Sequence, residues 1–283
     1  FRPVGLTHRD SRFSGGLTLL TPVGGDSVYL IDGDGHIVHG WAAPGFQPGY
    51  GYLLPGGNLL VRGQPLVQTA VGAGEAAGNS DILLELDWDS REVWRWESET
   101  FHHDMCRMPN GNTLVIVWEL LPQEYVKRVK GGFSPEQAAQ FSSDPRFMSF
   151  ILAGMGVGGR PRLKGMLTDA VWEINPAGQP VHVWHSHEHF NLETDTLCPV
   201  DLRHEWTHLN AVQLTPEGDV LISSQKLDTI MKISWSKGEV LWRWGGLGRL
   251  SHQHDPSITP DGTLLVFDNG SRHPVQGRSR VIE

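Results

Sequence analysis

The sequence predicts an all-β chain folded as a β-propeller of six blades, or five, over residues 1–283 as a single domain. Two alternating patterns predict it. The first is a β-branched strand, a turn with Asp, Asn or Gly, and a second strand ending in tryptophan. Its copies run from Val28 to Trp41, Leu83 to Trp96, Val171 to Trp184 and Ile230 to Trp244. The second is a Pro-x-Gly turn at Pro55, Pro109, Pro216 and Pro260, each followed by an apolar strand. Equivalent tryptophans stand roughly 50 to 60 residues apart once an insertion is allowed, the spacing of four-stranded blades.

Each element follows from its local pattern. Alternating apolar and polar residues in the strands fit half-buried antiparallel sheet. The tryptophan strands are expected outermost, with indoles packed on the neighbouring blade. Strands that precede Pro-x-Gly are expected innermost. Two stretches interrupt the repeat, 119–168 and 185–206. In the first, Ser134-Pro135-Glu136 reads as a helix start with proline at its first position, and Gly154 to Gly159 reads as a loop. The second carries His185, His187 and His189, read as a solvated loop, and His204. Long insertions on a rigid scaffold often cover a site. Ser279–Glu283 reads as the third strand of a further unit, so the chain stops in mid-blade, completed by N-terminal strands or by residues beyond 283.

Composition bounds the function. A net charge of −9 argues against nucleic acid as partner. No apolar run is long enough to span a bilayer. Cys106 and Cys198 are read as two free cysteines. Composition leaves the substrate, the oligomeric state and the compartment open.

Three innermost strands carry histidine in one register. Six residues before the proline stand His103, Asn210 and His254; eight before it stand Phe101, His208 and His252. In a regular strand these two positions face the same side. The imidazoles and the Asn210 amide are therefore expected around one place. Neutral imidazole serves as nucleophile or base near neutral pH. Three or four converging imidazoles, His103, His208, His252 and His254, also suit a divalent transition metal, with Asp104 or Asp255 orienting the rings. A binding propeller without catalysis needs no such convergence.

The strings HHDMCRMPNGNTL, THLNAVQLTPEGDVLISS, GEVLWRWGG and QHDPSITPDGTLLVFDNGSR resemble the bacterial arylsulfate sulfotransferase (arylsulfotransferase) superfamily, from about Gly15 to Glu283. The resemblance implies a six-bladed propeller and sulfuryl transfer from a phenolic sulfate to a phenol through a histidine, with no cofactor. It implies His254 as the residue that takes the sulfuryl group, His103 and His208 as sulfate-binding or proton-moving residues, and Asn210 as a sulfate ligand. It also implies a periplasmic or secreted protein. One position departs: the family's arginine after paired serines is here Gln225, following Ser223-Ser224. Glutamine lacks the charge and fork of a guanidinium. Arg272, near the His254 unit, is the expected substitute, with His252 as a further substrate contact. A metal-dependent lyase or hydrolase acting on a small organic anion is the alternative.

Overall fold

Each Pro-x-Gly element closes the same hairpin. In the computed structural model, Leu54, Met108, Thr215 and Thr259 each accept the glycine N–H and donate their own N–H to the carbonyl four residues on, all at 2.8–3.0 Å. Proline presets the first turn residue. Gly57, Gly111, Gly218 and Gly262 sit at φ of +86° to +89°, where a side chain is strained.

The structure describes residues 6–22, 24–66, 80–133, 137, 165–246, 248–271 and 278–283. The chain divides into two compact units, Phe1–Ser98 and Glu99–Glu283. In the first, β1 (Thr18–Leu20), β2 (Ser27–Ile31) and β3 (Ile37–Ala42) form one antiparallel sheet. A second holds β4 (Phe46–Leu53), β5 (Leu59–Pro65), β6 (Ile82–Leu86) and β7 (Glu92–Glu97) in sequence order. Their core includes Val28, Trp41, Phe46, Leu59, Val61 and Leu84, all buried. The Trp41 indole donates to Asp87 O of the next sheet at 3.1 Å.

The second unit opens with β8 (Phe101–Arg107) and β9 (Thr113–Leu120), then a single helical turn α1 (Gln123–Val126) and β10 (Gly131–Phe133). Next come β11 (Leu167–Ile174), β12 (Pro180–His185), a 3-10 turn at Ser186–Glu188, and β13 (Leu197–Leu202). The sheet order is β8-β9-β11-β12, so the first insertion does fall between the second and third strands of a blade. The two insertions meet: β10 pairs with β13, in parallel. The expected helix at 134–140 and glycine loop at 154–159 lie outside the described residues, Gln137 excepted.

A four-stranded sheet follows, of β14 (Leu209–Leu214), β15 (Val220–Ser224), β16 (Thr229–Ser234) and β17 (Glu239–Gly245). The last has β18 (His254–Ile258), β19 (Leu264–Asp268) and β20 (Arg280–Ile282). As expected, the C-terminal segment supplies a third strand. Trp184 on β12 is 2% exposed and donates to Gly238 O of the next sheet at 3.1 Å. Trp235 answers by donating to Glu173 Oε2 at 2.6 Å. Trp41 and Trp184 make the inter-blade contacts that the repeat predicts; Trp235 lies outside the repeat strands, and Trp242 on β17 is 41% exposed.

The described residues thus form five consecutive antiparallel sheets of the propeller-blade type, with almost no helix. Five lies within the predicted range, and a sixth blade is not among them. No helix of the described residues is long and apolar enough to cross a membrane. Cys106 and Cys198 are free thiols, and burial pushes the Cys106 thiol up.

Candidate active site

The first strands β8, β14 and β18 of three consecutive sheets lie together, β14 touching both others. His103 and His254 lie on β8 and β18, and His208 and His252 stand just before β14 and β18, but these are not regular strands. Pairing slips between His102 and Met105, between Leu209 and Ala211, and between His254 and Ser257. At or beside these bulges His103, His208, His252 and Asp255 take φ of +55°, +48°, +55° and +49°. Non-glycine residues avoid this region. The simple period of two, on which the shared orientation was expected, therefore fails at the site itself. A bulge re-aims side chains and sharpens the local bend. Backbone strain of this kind costs about 1–3 kcal/mol per residue and concentrates at functional sites.

His103 and His208 do meet, with ring centroids 4.6 Å apart, edge to face. His103 Nδ1 lies 2.7 Å from His102 Nδ1. His102, fully buried, stacks on Trp118 at 4.0 Å. Its Nε2 is 3.1 Å from Asp169 Oδ1, off the line of an ideal hydrogen bond. Burial pushes the His102 imidazole down, so it stays neutral, with Asp169 pulling the other way. The Asp169 carboxylate also accepts from the Thr207 hydroxyl and from Leu209 N, the latter at 2.9 Å. It therefore ties β11 to the start of β14.

His208 donates Nδ1–H to Glu205 Oε1 at 2.5 Å. Burial would push the Glu205 carboxyl up, but His208, Lys226 and His204 outweigh it and hold the group well below the usual carboxylate range. Lys226 is buried, with Nζ at 2.8 Å from Leu202 O and 3.3 Å from Glu205 Oε1. That lysine is committed to Glu205 and does not replace the absent arginine. Gln225 donates its backbone N–H to His208 O at 2.9 Å. Asn210 donates Nδ2–H to Gln253 O at 2.7 Å, and its buried Oδ1 has no partner among the described residues.

His254 is half-buried. Its Nδ1 faces two acceptors, Asn269 Oδ1 at 2.8 Å and His252 O at 3.0 Å. A backbone carbonyl only accepts, so Nδ1 carries the proton and Nε2 keeps the lone pair. Burial, then His208, pushes this imidazole down, against Asn269. His252 is fixed by Asp228 to its N–H at 2.8 Å and by Ser271 Oγ to Nδ1 at 2.9 Å, with Asp201 at 3.6 Å. Arg272 lies outside the described residues.

Sequence reasoning missed Glu205, Asp169, His102, Gln253 and Asn269. Glu205 had a signal, an acid three residues before His208. Asp104 is structural, bonding Met105 N and Val212 N. Among the described residues, the predicted quartet of imidazoles does not bring three donor atoms within 4.8 Å; Glu119, His185 and His187 do, as do Asp32, Asp34 and His36. The histidines at 185–189 are not a solvated loop. His187 is 8% exposed, and His189 stacks on Trp184 at 4.5 Å. A cavity of about 630 Å³ sits at the hairpin end of the same sheets, lined by Cys106, Arg107, Asn110, Gln213 and Ile258 among others. None of the site histidines lines it.

Five blade-type sheets, with strained histidines in or just before the first strands of three of them, define the β-propeller class. Residues 152–283, a little under half of the chain, match the arylsulfotransferase (ASST) family model, consistent with an arylsulfotransferase-superfamily β-propeller. No curated protein matches the chain. Solved structures similar to it are remote. A protein of unknown function from Bacteroides caccae has 13% identity and a TM-score of 0.46, with 94% of this chain and 72% of that chain covered. A catalytically inactive virginiamycin B lyase from Staphylococcus aureus with quinupristin has 11% identity and a TM-score of 0.46, with 99% and 72% covered. Hydrazine synthase from Kuenenia stuttgartiensis has 11% identity and a TM-score of 0.49, with 94% and 67% covered.

Proposed function

We propose that the chain is an arylsulfotransferase-like enzyme that moves a sulfuryl group from a phenolic sulfate to a phenol through His254. The observation that carries the reading is the His254 tautomer. With Nδ1–H engaged by His252 O and Asn269 Oδ1, the Nε2 lone pair is available as a nucleophile. A lowered affinity for protons keeps it available near neutral pH.

The chemistry then runs in two displacements. His254 Nε2 attacks sulfur, the S–O bond to the aryl group breaks, and the phenolate leaves with a proton from His208 or His103. An acceptor phenol, deprotonated by the same imidazoles, attacks sulfur, and the N–S bond breaks to return His254. Glu205 orients His208, and the buried Asp169-His102 pair supports His103. Asn210 and Gln225 supply neutral contacts to sulfate oxygens, weaker than an arginine fork. This predicts a high KM for the donor.

Incubation with a nitrophenyl sulfate tests the proposal. Wild type should release nitrophenol faster when a phenol acceptor is added. Without acceptor, peptide mass mapping should find one SO₃ group on the His254 peptide. No adduct, with turnover silenced by a chelator, would move the chemistry to a metal.

A further inference from the structure

We propose that Glu119, His185 and His187 form a binding site for a divalent transition-metal ion of the zinc class, separate from the His254 site. Glu119 Oε2 is 2.8 Å from His185 Nδ1, and Glu119 Oε1 is 3.1 Å from His187 Nδ1. All three donor atoms lie within 4.8 Å of one another. Two imidazole nitrogens and one carboxylate oxygen are a common zinc donor set that leaves a coordination position open.

The donors stand on built elements. Glu119 is on β9 and His185 ends β12, and both strands flank β11, where Thr168 pairs with Glu119 and Ala170 with His185. His187 is in the 3-10 turn, whose fully buried Ser186 hydroxyl is 3.0 Å from Thr168 Oγ1 and 3.2 Å from Thr207 Oγ1. The Tyr125 ring meets His187 edge to face at 5.0 Å. Donor atoms around a tetrahedral zinc ion sit about 3.3 Å apart, given bonds of about 2.0–2.1 Å. The two Glu119–histidine separations, 2.8 and 3.1 Å, open by about half an ångström or less to reach that spacing, and the two histidine nitrogens lie within 4.8 Å of each other. The ion displaces the Nδ1 protons now shared with Glu119, so its binding weakens as pH falls. With His185 40% and Glu119 22% exposed, it reaches the site from solvent. Once bound, it ties β9 to the 3-10 turn.

Untagged full-length protein, stripped with a chelator and dialysed, is titrated with zinc by calorimetry and with cobalt by visible absorption. One equivalent should bind with a dissociation constant of about 1 μM or tighter, and cobalt should show intense d–d bands of a low-coordinate site. His185→Ala and Glu119→Ala should each weaken zinc by at least about 100-fold, since two ligands make a poor zinc site. His103→Ala should bind as wild type. X-ray absorption at the zinc edge reads the ligand shell of the wild type without any variant. A shell of two imidazoles and one carboxylate supports the proposal. Undiminished binding in folded His185→Ala, loss in His103→Ala instead, a shell of three or more imidazoles, or no wild-type binding would each overturn it.

Discussion

At the residue scale, His254→Ala should lower nitrophenyl sulfate turnover by about 10³-fold or more, as expected for loss of a nucleophile. Circular dichroism should stay near wild type, because a half-buried imidazole adds little packing. Under the proposed mechanism the acid limb of the pH–rate profile should report the same residue. Its proton affinity is depressed by burial, so the neutral nucleophile persists below about 6.5, the ordinary histidine value. Asn269→Ala removes one acceptor from Nδ1 and should depress turnover while leaving the apparent donor affinity nearly unchanged. An acid limb above 6.5 in wild type would count against His254. Glu205 is a different kind of residue, buried with Lys226 and His208 around it. Glu205→Gln leaves the lysine buried without its counter-ion, a loss of about 3–5 kcal/mol. Urea unfolding measures it, and an unchanged midpoint would show that the cluster is not paired in solution.

At the scale of the element, the hairpin and the bulged strand make opposite use of positive φ. Gly218 has φ +87° and open space around the position of an added Cβ. Gly218→Ala therefore isolates backbone strain and should cost about 1–2 kcal/mol, read as a shifted urea midpoint at unchanged slope. His103, His208 and His252 adopt the same region without glycine's freedom. There the surrounding sheet holds the strain, through bonds such as Leu209 N to Asp169 and His252 N to Asp228. Pro-x-Gly could be read directly, because the turn is local and its residue types are the ones its geometry requires. The bulges could not, since an extra residue in one strand shows only against a partner strand.

For the whole molecule, stability should fall with acid in two stages. His102 has a folded proton affinity below its unfolded one, so its contribution is complete above about 6.5 and is lost as pH falls through the lower folded value. Glu205 is also depressed, so its contribution is complete above about 4.3, the ordinary glutamate value, and is lost at lower pH still. Melting temperatures across pH 4 to 8 should therefore plateau near neutrality and decline below about pH 6.5. Rising stability between pH 7 and 5 would contradict the buried neutral His102.

The sequence by itself determined the all-β class, the blade repeat, the four hairpins, the inter-blade tryptophans and the candidate strands with His103, His208 and His254. Those features are periodic or local, and patterns of two residues or of fifty survive in a linear string. Tertiary structure alone decided how the site is held. Glu205 comes from the second insertion, Asp169 from another strand of the His102 sheet, and the Nδ1 acceptors of His254 from its own sheet, His252 O two residues before it and Asn269 just after β19. Only packing brings Asp169 beside His102, 67 positions away in the chain, or His185 and His187 beside Glu119. A histidine's tautomer depends on which acceptor faces each nitrogen, and nothing in the order of residues states that.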